Sequence, residues 1–528
     1  MRCISLRVLT NVNKKFFWSV LVITLAAFAL RVFRLDAQSF WWDEVMPVAI
    51  AQLPFPQWWE PVFQDRGYPP GLYFLLTAWS SLGVGEFYLR YVSVICGTLS
   101  VAVMAQLGAR VSGGKSSQDN GNVTTCPRRG GAFAAALMAV SPFYIWYSQE
   151  LRMYAPLILA TVASSWAFLT LLYRPRWQVA LGLFLCDVFG LYLHYLFGIF
   201  LISQLLFWVM ARGRYPRALR FWVAATAAAG VLFIPWLLAL QLSPIHGHPN
   251  LGWIPNARWY DPALSLYAVV LGASQDPNFI LNWVTPLGAL ALAIYGTLSL
   301  WKSKARSELR YLLTWLLAPW LLLFFLSIPI SGRSLYVDRY LSPFIPPLLI
   351  LIAAGALAFY QRNRALLGAV AVIALTPLVI SLWNMYFVPR YARDDWRGLL
   401  AYVHENADSI HDAVLVDLSL ELPFGFYNRS AVRVIEHPFP QDENIGEWME
   451  SQQDWRMRSH LWLVTTALPI NVHRFYPDAQ GQLAFAKQDA FKNAMDARFA
   501  VEQEKWFPGL VLTKYRVQPR KRAGLGEC

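Results

Sequence analysis

Charge is scarce in this sequence. Asp, Glu, Lys and Arg make up 15% of 528 residues, where an ordinary soluble domain carries about 25%. Set beside 56% hydrophobic residues, that shortage excludes a soluble enzyme and points to a polytopic membrane protein. Cysteine is sparse too. Cys3, Cys96, Cys126, Cys186 and Cys528 are scattered, and two of them fall inside apolar runs, where they behave as small hydrophobes, so no disulfide framework or zinc-ligand spacing is present. Internal repeats, low-complexity tracts and Walker or dinucleotide fingerprints in a strand-to-helix context are also absent. The net charge of +13 comes from short basic clusters between apolar runs. Loop orientation in a membrane accounts for them, which removes nucleic acid as a partner.

What the chain does have is long apolar runs, and runs of about 20 residues can cross a bilayer. The spacing predicts spans near residues 16–34, 91–110, 130–148, 153–173, 177–194, 196–211, 221–240, 281–300, 311–330, 341–360 and 365–386, about eleven. Arg2, Arg7, Lys14 and Lys15 precede "FFWSVLVITLAAFAL". With so many spans behind it, this segment is expected to be an uncleaved first helix rather than a signal peptide. The run at residues 71–85, "GLYFLLTAWSSLGVG", is short for a span and is expected to lie along or dip into the interface. With that segment not crossing, Arg110, Lys115, Arg128 and Arg129 fall inside, together with the basic loops at 174–176, 212–220, 302–310 and 362–364, as the positive-inside rule requires.

The chain is therefore expected to be mainly α: a transmembrane domain over 1–386, with a first outer loop at 35–90 and a second at 241–280. An extracytoplasmic α/β domain follows over 387–528. In that domain "DDWRGLLAYVHENA" and "QDENIGEWMESQQ" read as helices, and "AVLVDLS", "LWLVTTA" and "LVLTKYRV" as buried strands.

On the outer side, "SFWWDEVMPVAIAQ" sets Asp43 and Glu44 about ten residues beyond the first helix. Solvated loop acids beside an interfacial Trp41–Trp42 belt is the bland account. Against it stands the basic company on the same face: Arg66, Arg90, Arg152, Arg333 and Arg339 all map outside or to outer helix ends. Arginine there suits a phosphate, whose oxygens match the guanidinium fork. Ion pairs with Asp65, Glu86, Glu150 and Asp338, or snorkelling to lipid, are the structural alternative. Asp187 and His194, seven residues apart in "CDVFGLYLHY", share a helix face. An interhelix bond and a functional role both remain open for Asp187, while His194 and Tyr195, at the outer end, are site candidates.

Five segments taken in order carry a resemblance: "RLDAQSFWWDEVMPVAIAQ", "RGYPPGLYFLLTAWSSLGVGEFYLRYVSVICGTLSV", "SPFYIWYSQELRMYAPLILA", "LYLHYLFGIFLISQLLF" and "VDRYLSPFIPPLLILIA". Together the sequence resembles the GT-C membrane glycosyltransferases, in the branch similar to protein O-mannosyltransferases and the aminoarabinose transferases of lipid A. The likeness covers most of residues 16–400 and only loosely the terminal domain. It implies a polyprenyl-phosphate sugar donor and a glycan, lipid or protein acceptor. Asp43 occupies the place of the catalytic base. Arg152 and Arg339, with Arg66 and Arg333 behind them, would stabilise the departing phosphate. Tyr68, Arg90, Glu150, Tyr154, His194 and Tyr195 complete the expected substrate contacts. Glu44 has three open roles: holding the acceptor, holding a divalent metal, or capping a short helix. Gly67 and Tyr68 stand where many relatives carry a His before the prolines, so no role passes to that His.

The resemblance implies an inverting sugar transfer at the outer face of a bacterial inner membrane. The lipid phosphate is already the leaving group, so no nucleotide site is needed; the sequence requires no cofactor and leaves a divalent metal open. A transporter or flippase of lipid-linked sugar is the rival. It would more naturally show inverted repeats and helices broken at mid-membrane.

Overall fold

The structure, a computed structural model, describes residues 14–112, 127–211, 213–245, 247, 251, 254–303, 305–328, 334–436, 458–467 and 479–517. The chain divides into two compact units. One comprises Met1–Leu35 and Ile50–Asn384, the other Asp36–Ala49 and Met385–Cys528. The first-loop acids thus group with the C-terminal part of the chain.

The first unit is helical. Among the described residues, six helices are long and apolar enough to cross a bilayer: Lys14–Val32, Glu86–Ser112, Tyr154–Tyr173, Pro216–Leu242, Ile280–Lys302 (opening in a 3-10 turn) and Arg306–Phe325. Two bent pairs raise the number to eight, Arg128–Val140 with Pro142–Ser148 at 64° and Asp338–Phe344 with Pro346–Arg362 at 61°. The expected eleven is not reached on length and composition. Trp177–Leu193 and Leu196–Ala211 are apolar but have only 17 and 16 residues. Gly71–Ser80, at 10 residues, is too short to span. Phe17, Trp18, Val22 and Leu25 of the first helix are exposed. An apolar helix surface left uncovered by protein requires a non-aqueous solvent, and the chain is an integral membrane protein.

The first bend has a chemical cause. Ser141 is extended, as a residue before proline prefers, and its hydroxyl accepts from the Tyr144 N–H to start the next helix. The carbonyls freed by the break are not left bare. Arg31, fully buried, donates to Met138 O and Ala139 O at 3.1 Å each and to Ser148 Oγ at 3.1 Å. Elsewhere helices approach backbone to backbone. Gly296 lies against Leu351 O and Gly355 against Leu292 O, with no room for a Cβ at either. Such small-residue seams are how apolar helices pack tightly in lipid. Asp187 is tied across helices: Ser164 Oγ and Thr226 Oγ1 each donate to its carboxylate at 2.9 Å. Those bonds give it the structural role.

The second unit holds a five-stranded sheet in the order β2-β1-β3-β5-β4. Its strands are β1 (Asp412–Val416), β2 (Arg433–Glu436), β3 (His460–Thr466), β4 (Ala500–Phe507) and β5 (Leu510–Arg516). β1 is parallel to β2 and β3, while β5 is antiparallel to β3 and β4. β1 is buried at every position, as a strand covered on both faces must be. Val414 and Val416 pack with Trp396, Leu399 and Val403 of the Trp396–Asn406 helix. On the other face Ala413 and Leu415 pack with Phe491 and Met495 of the Ala479–Arg498 helix. Asp395 caps the first of these helices, accepting from Gly398 N–H at 2.9 Å. The expected strands correspond to β1, β3 and β5, and the "DDWRGLLAYVHENA" helix to Trp396–Asn406. The "QDENIGEWMESQQ" helix lies outside the described residues.

Candidate functional site

In the first unit, five elements bring two arginines and four rings together, each from a helix end or break. Tyr68 comes from the link between helices Trp59–Asp65 and Gly71–Ser80. Arg152 comes from the turn after Pro142–Ser148. Tyr154 opens the Tyr154–Tyr173 helix, His194 lies between Trp177–Leu193 and Leu196–Ala211, and Arg339 and Tyr340 come from the Asp338–Leu341 turn. Placing polar groups at breaks is physically economical, since a break already has to satisfy loose backbone groups.

Local packing fixes the geometry. Gly71 rests on the Tyr192 carbonyl where no Cβ fits, and this contact brings Tyr68 to His194. Their ring centroids are 5.2 Å apart, edge to face. The Arg152 Cζ lies 4.9 Å from the Tyr68 ring centre, a cation–π distance. The Arg339 Cζ stands 6.0 Å from the Tyr340 ring, and Tyr340 meets His194 at 5.4 Å. Tyr154 is 6.3 Å from His194. Gly190 lets the Phe197 ring close against the end of the preceding helix, which turns the chain at His194. Arg152, Tyr154, His194 and Tyr340 are all buried.

Two uncharged donors in this cluster have no partner among the described residues: the Tyr154 hydroxyl and His194 Nε2. A buried polar atom left unsatisfied costs about 1–3 kcal/mol. Two such atoms beside two guanidiniums form a set of hydrogen-bond donors with positive charge. That arrangement can hold a phosphate or another compact anion.

The other candidates in this unit make different contacts. Arg66, at φ 47°, closes its helix; its guanidinium donates to Phe63 O at 3.2 Å and to Ile245 O, tying two segments together. Arg90 is buried and donates to Leu35 O at 3.0 Å. Tyr195 OH accepts from Trp236 Nε1 at 3.1 Å. Glu150 is buried in the turn that carries Arg152, whose N–H donates to the Glu150 carbonyl at 2.9 Å. Arg333 lies outside the described residues.

In the second unit, Asp43 and Glu44 occupy the first turn of the Trp42–Gln52 helix, where the helix dipole favours negative charge. Glu44 is fully buried and its Oε2 is 3.4 Å from Arg393 Nη1. Asp43 is partly exposed. The segment before the helix is held by backbone bonds: Ser39 Oγ donates to Asp394 O at 2.6 Å and Tyr427 OH accepts from Phe40 N–H at 2.6 Å. Of the two acids, Glu44 is fully buried against a cation and Asp43 is half-buried. Among the described residues no three His, Cys, Asp or Glu side chains gather in a metal-binding group.

Sequence reasoning missed Tyr340 and Arg393. Tyr340 sits inside the quoted "VDRYLSPF", beside the arginine that drew attention, but an uncharged ring carries no signal. Arg393 pairs with an acid 349 positions earlier, a separation that no local pattern reveals.

A bundle of apolar helices with polar groups gathered at the breaks, together with a small mixed sheet, is a fold shared with solved structures. Among solved structures, the chain is similar to ArnT from Cupriavidus metallidurans. The apo form matches with a TM-score of 0.55 and 14% identity, over 95% of this chain and 98% of that one. The form bound to undecaprenyl phosphate matches at 0.51 and 12% identity, over 94% and 97%. An Archaeoglobus fulgidus oligosaccharyltransferase, tethered to an acceptor peptide, matches at 0.50 and 10% identity, over 96% of this chain and 74% of that one. Identities this low speak to the fold. No protein-family model matches the sequence, and no curated protein matches it.

Proposed function

We propose that the protein is an inverting glycosyltransferase that moves a sugar from a polyprenyl-phosphate donor to an acceptor hydroxyl at the outer face of a membrane of the bacterial inner-membrane type. The observation that carries the reading is the cluster of buried Arg152, Tyr154 and His194 with half-buried Arg339, a set of donors and positive charge suited to an anion. It is supported by the shared fold of a transferase, ArnT, solved with undecaprenyl phosphate bound.

The chemistry is a single displacement. The acceptor oxygen forms a bond to the anomeric carbon as the bond to the phosphate oxygen breaks, and the carbon inverts. Asp43, as carboxylate, takes the acceptor proton. The electron pair of the broken bond leaves on the prenyl phosphate, where fixed arginines stabilise the added charge. Oxocarbenium character on the sugar accompanies the step. Glu44, engaged by Arg393, supports the helix turn that carries Asp43.

The test is sugar release from a panel of labelled polyprenyl-phosphate sugars by the purified full chain in lipid nanodiscs, with extracted membranes as the acceptor source. Transfer with inversion supports the reading. Donor movement between leaflets without any sugar release contradicts it and makes the protein a transporter of lipid-linked sugar.

A further inference from the structure

The backbone around His194 decides where its proton sits. The ring occupies the two-residue gap between helices, with the backbone extended at φ −162°, ψ 140°. From the next helix, the Leu196 N–H donates to His194 Nδ1 at 3.1 Å. A ring nitrogen that accepts a hydrogen bond has no proton of its own, so the imidazole is neutral with its proton on Nε2. An imidazolium would set an Nδ1–H against the Leu196 N–H, two donors facing each other.

The other side of the ring has the opposite condition. His194 Nε2–H is a donor, is buried, and has no acceptor among the described residues; the Tyr154 hydroxyl in the same cluster is equally unsatisfied. No carboxylate or carbonyl of the described residues takes up either group. Tyr68 and Tyr340 present ring edges and faces to His194 and so hold it by shape.

We infer that His194 is a permanently neutral hydrogen-bond donor, and that its Nε2–H, together with the Tyr154 hydroxyl, binds a non-bridging oxygen of a phosphate ester held between Arg152 and Arg339. The ring binds and orients the anion; it does not shuttle a proton. The arginines supply charge and attract any anion, while two directional neutral donors select tetrahedral phosphate oxygens at a fixed position. Identifying that ester as the lipid-linked donor rests on the proposed function. The binding geometry itself does not.

The experiment uses the full chain in zwitterionic nanodiscs, with farnesyl monophosphate as the lipid probe and inorganic phosphate beside it. With histidine labelled in its ring nitrogens, Asn and Gln substitutions assign the His194 signals by difference. The expected spectrum shows a bare Nδ1 and a protonated Nε2, whose signal shifts when farnesyl monophosphate is added. In binding assays, Tyr154→Phe and His194→Phe each weaken the probe about tenfold, the loss of one hydrogen bond to a charged group. His194→Gln, whose amide reaches the Nε2 position and donates, stays closer to wild type than His194→Phe does. A doubly protonated ring, a proton on Nδ1, or an Nε2 signal indifferent to the probe overturns the inference. If His194→Phe does not fold, the spectrum of the wild type and the Tyr154→Phe variant still decide.

Equal weakening of inorganic phosphate and farnesyl monophosphate assigns the site to the phosphate group alone, and selective weakening of the farnesyl probe assigns it to a lipid-borne phosphate. Both support the inference. Phosphate binding that depends on His194 in a protein that transfers no sugar leaves the inference standing and removes the proposed function. Sugar transfer with phosphate binding untouched in His194→Phe does the reverse.

Discussion

Glu44 and His194 are both buried polar side chains, one in each unit, and their surroundings differ in a way that separates structure from binding. Glu44 has its counter-charge in the chain, Arg393 at 3.4 Å. In the same unit His460 lies between Asp412 at 2.9 Å and Glu502 at 3.3 Å. His194 and Tyr154 in the first unit end in donors with no partner among the described residues. A buried group that has its partner stabilises or specifies the fold. A buried donor that lacks one, beside two cations, is built for something that arrives later.

The largest effect that would sharpen this contrast comes from breaking the satisfied pair. Arg393→Met leaves Glu44 buried without its counter-charge and is expected to cost about 3–5 kcal/mol of stability. Adding Glu44→Gln to Arg393→Met should recover most of that loss, since both halves of the pair are then neutral. Thermal unfolding of the three variants checks this; no recovery in the double variant would mean that the pair is not what holds the turn.

A second, pH-dependent effect belongs to the same unit. Burial pushes the Asp394 carboxyl up to about 7. Below about pH 4 both the folded and the unfolded chain keep this proton. As pH rises toward 7 the unfolded chain releases it while the folded protein retains it, so stability falls across that window, by about 4 kcal/mol in full. Asp394→Asn cannot titrate and should flatten the slope of unfolding temperature against pH between 4 and 7. An unchanged slope refutes the assignment.

The smallest expected effect lies in the unsatisfied cluster. Arg152→Lys keeps the charge but removes the guanidinium fork and its stacking on Tyr68, and is expected to weaken farnesyl monophosphate about tenfold with little change in unfolding temperature. A fall in stability with unchanged binding would turn Arg152 into a structural residue like Arg393, and the contrast between the two units would fail.

The two units were also unequally legible in the sequence. Apolar run length revealed the long helices, because twenty apolar residues have few other uses. It could not reveal the breaks at Ser141 and Ile345, which a hydropathy window averages over, so each broken pair read as one continuous run. In the sheet, β1, β3 and β5 stood out as buried apolar runs. β4, "AVEQEKWF", did not: it is an edge strand that is mostly exposed, and the charges that protect an edge erase the pattern that would identify it. The Ala479–Arg498 helix was hidden by its mixed polar composition. Within the site, charge drew attention to Arg152 and Arg339, and the rings around His194 were largely present in the quoted motifs. The grouping of Asp36–Ala49 with the C-terminal unit depends on bonds such as Ser39 to Asp394, 355 positions apart, and nothing in either segment announces the other.

The central claim is that Asp43 is the base of a sugar transfer from a lipid phosphate, and the direct measurement is turnover of the active polyprenyl-phosphate sugar by wild type and Asp43→Asn in nanodiscs, with donor binding followed in parallel. The account predicts a loss of turnover of at least about a hundredfold, with donor binding within about threefold of wild type, because a neutral amide of the same shape occupies the site but accepts no proton. Turnover by Asp43→Asn equal to that of the wild type would contradict it.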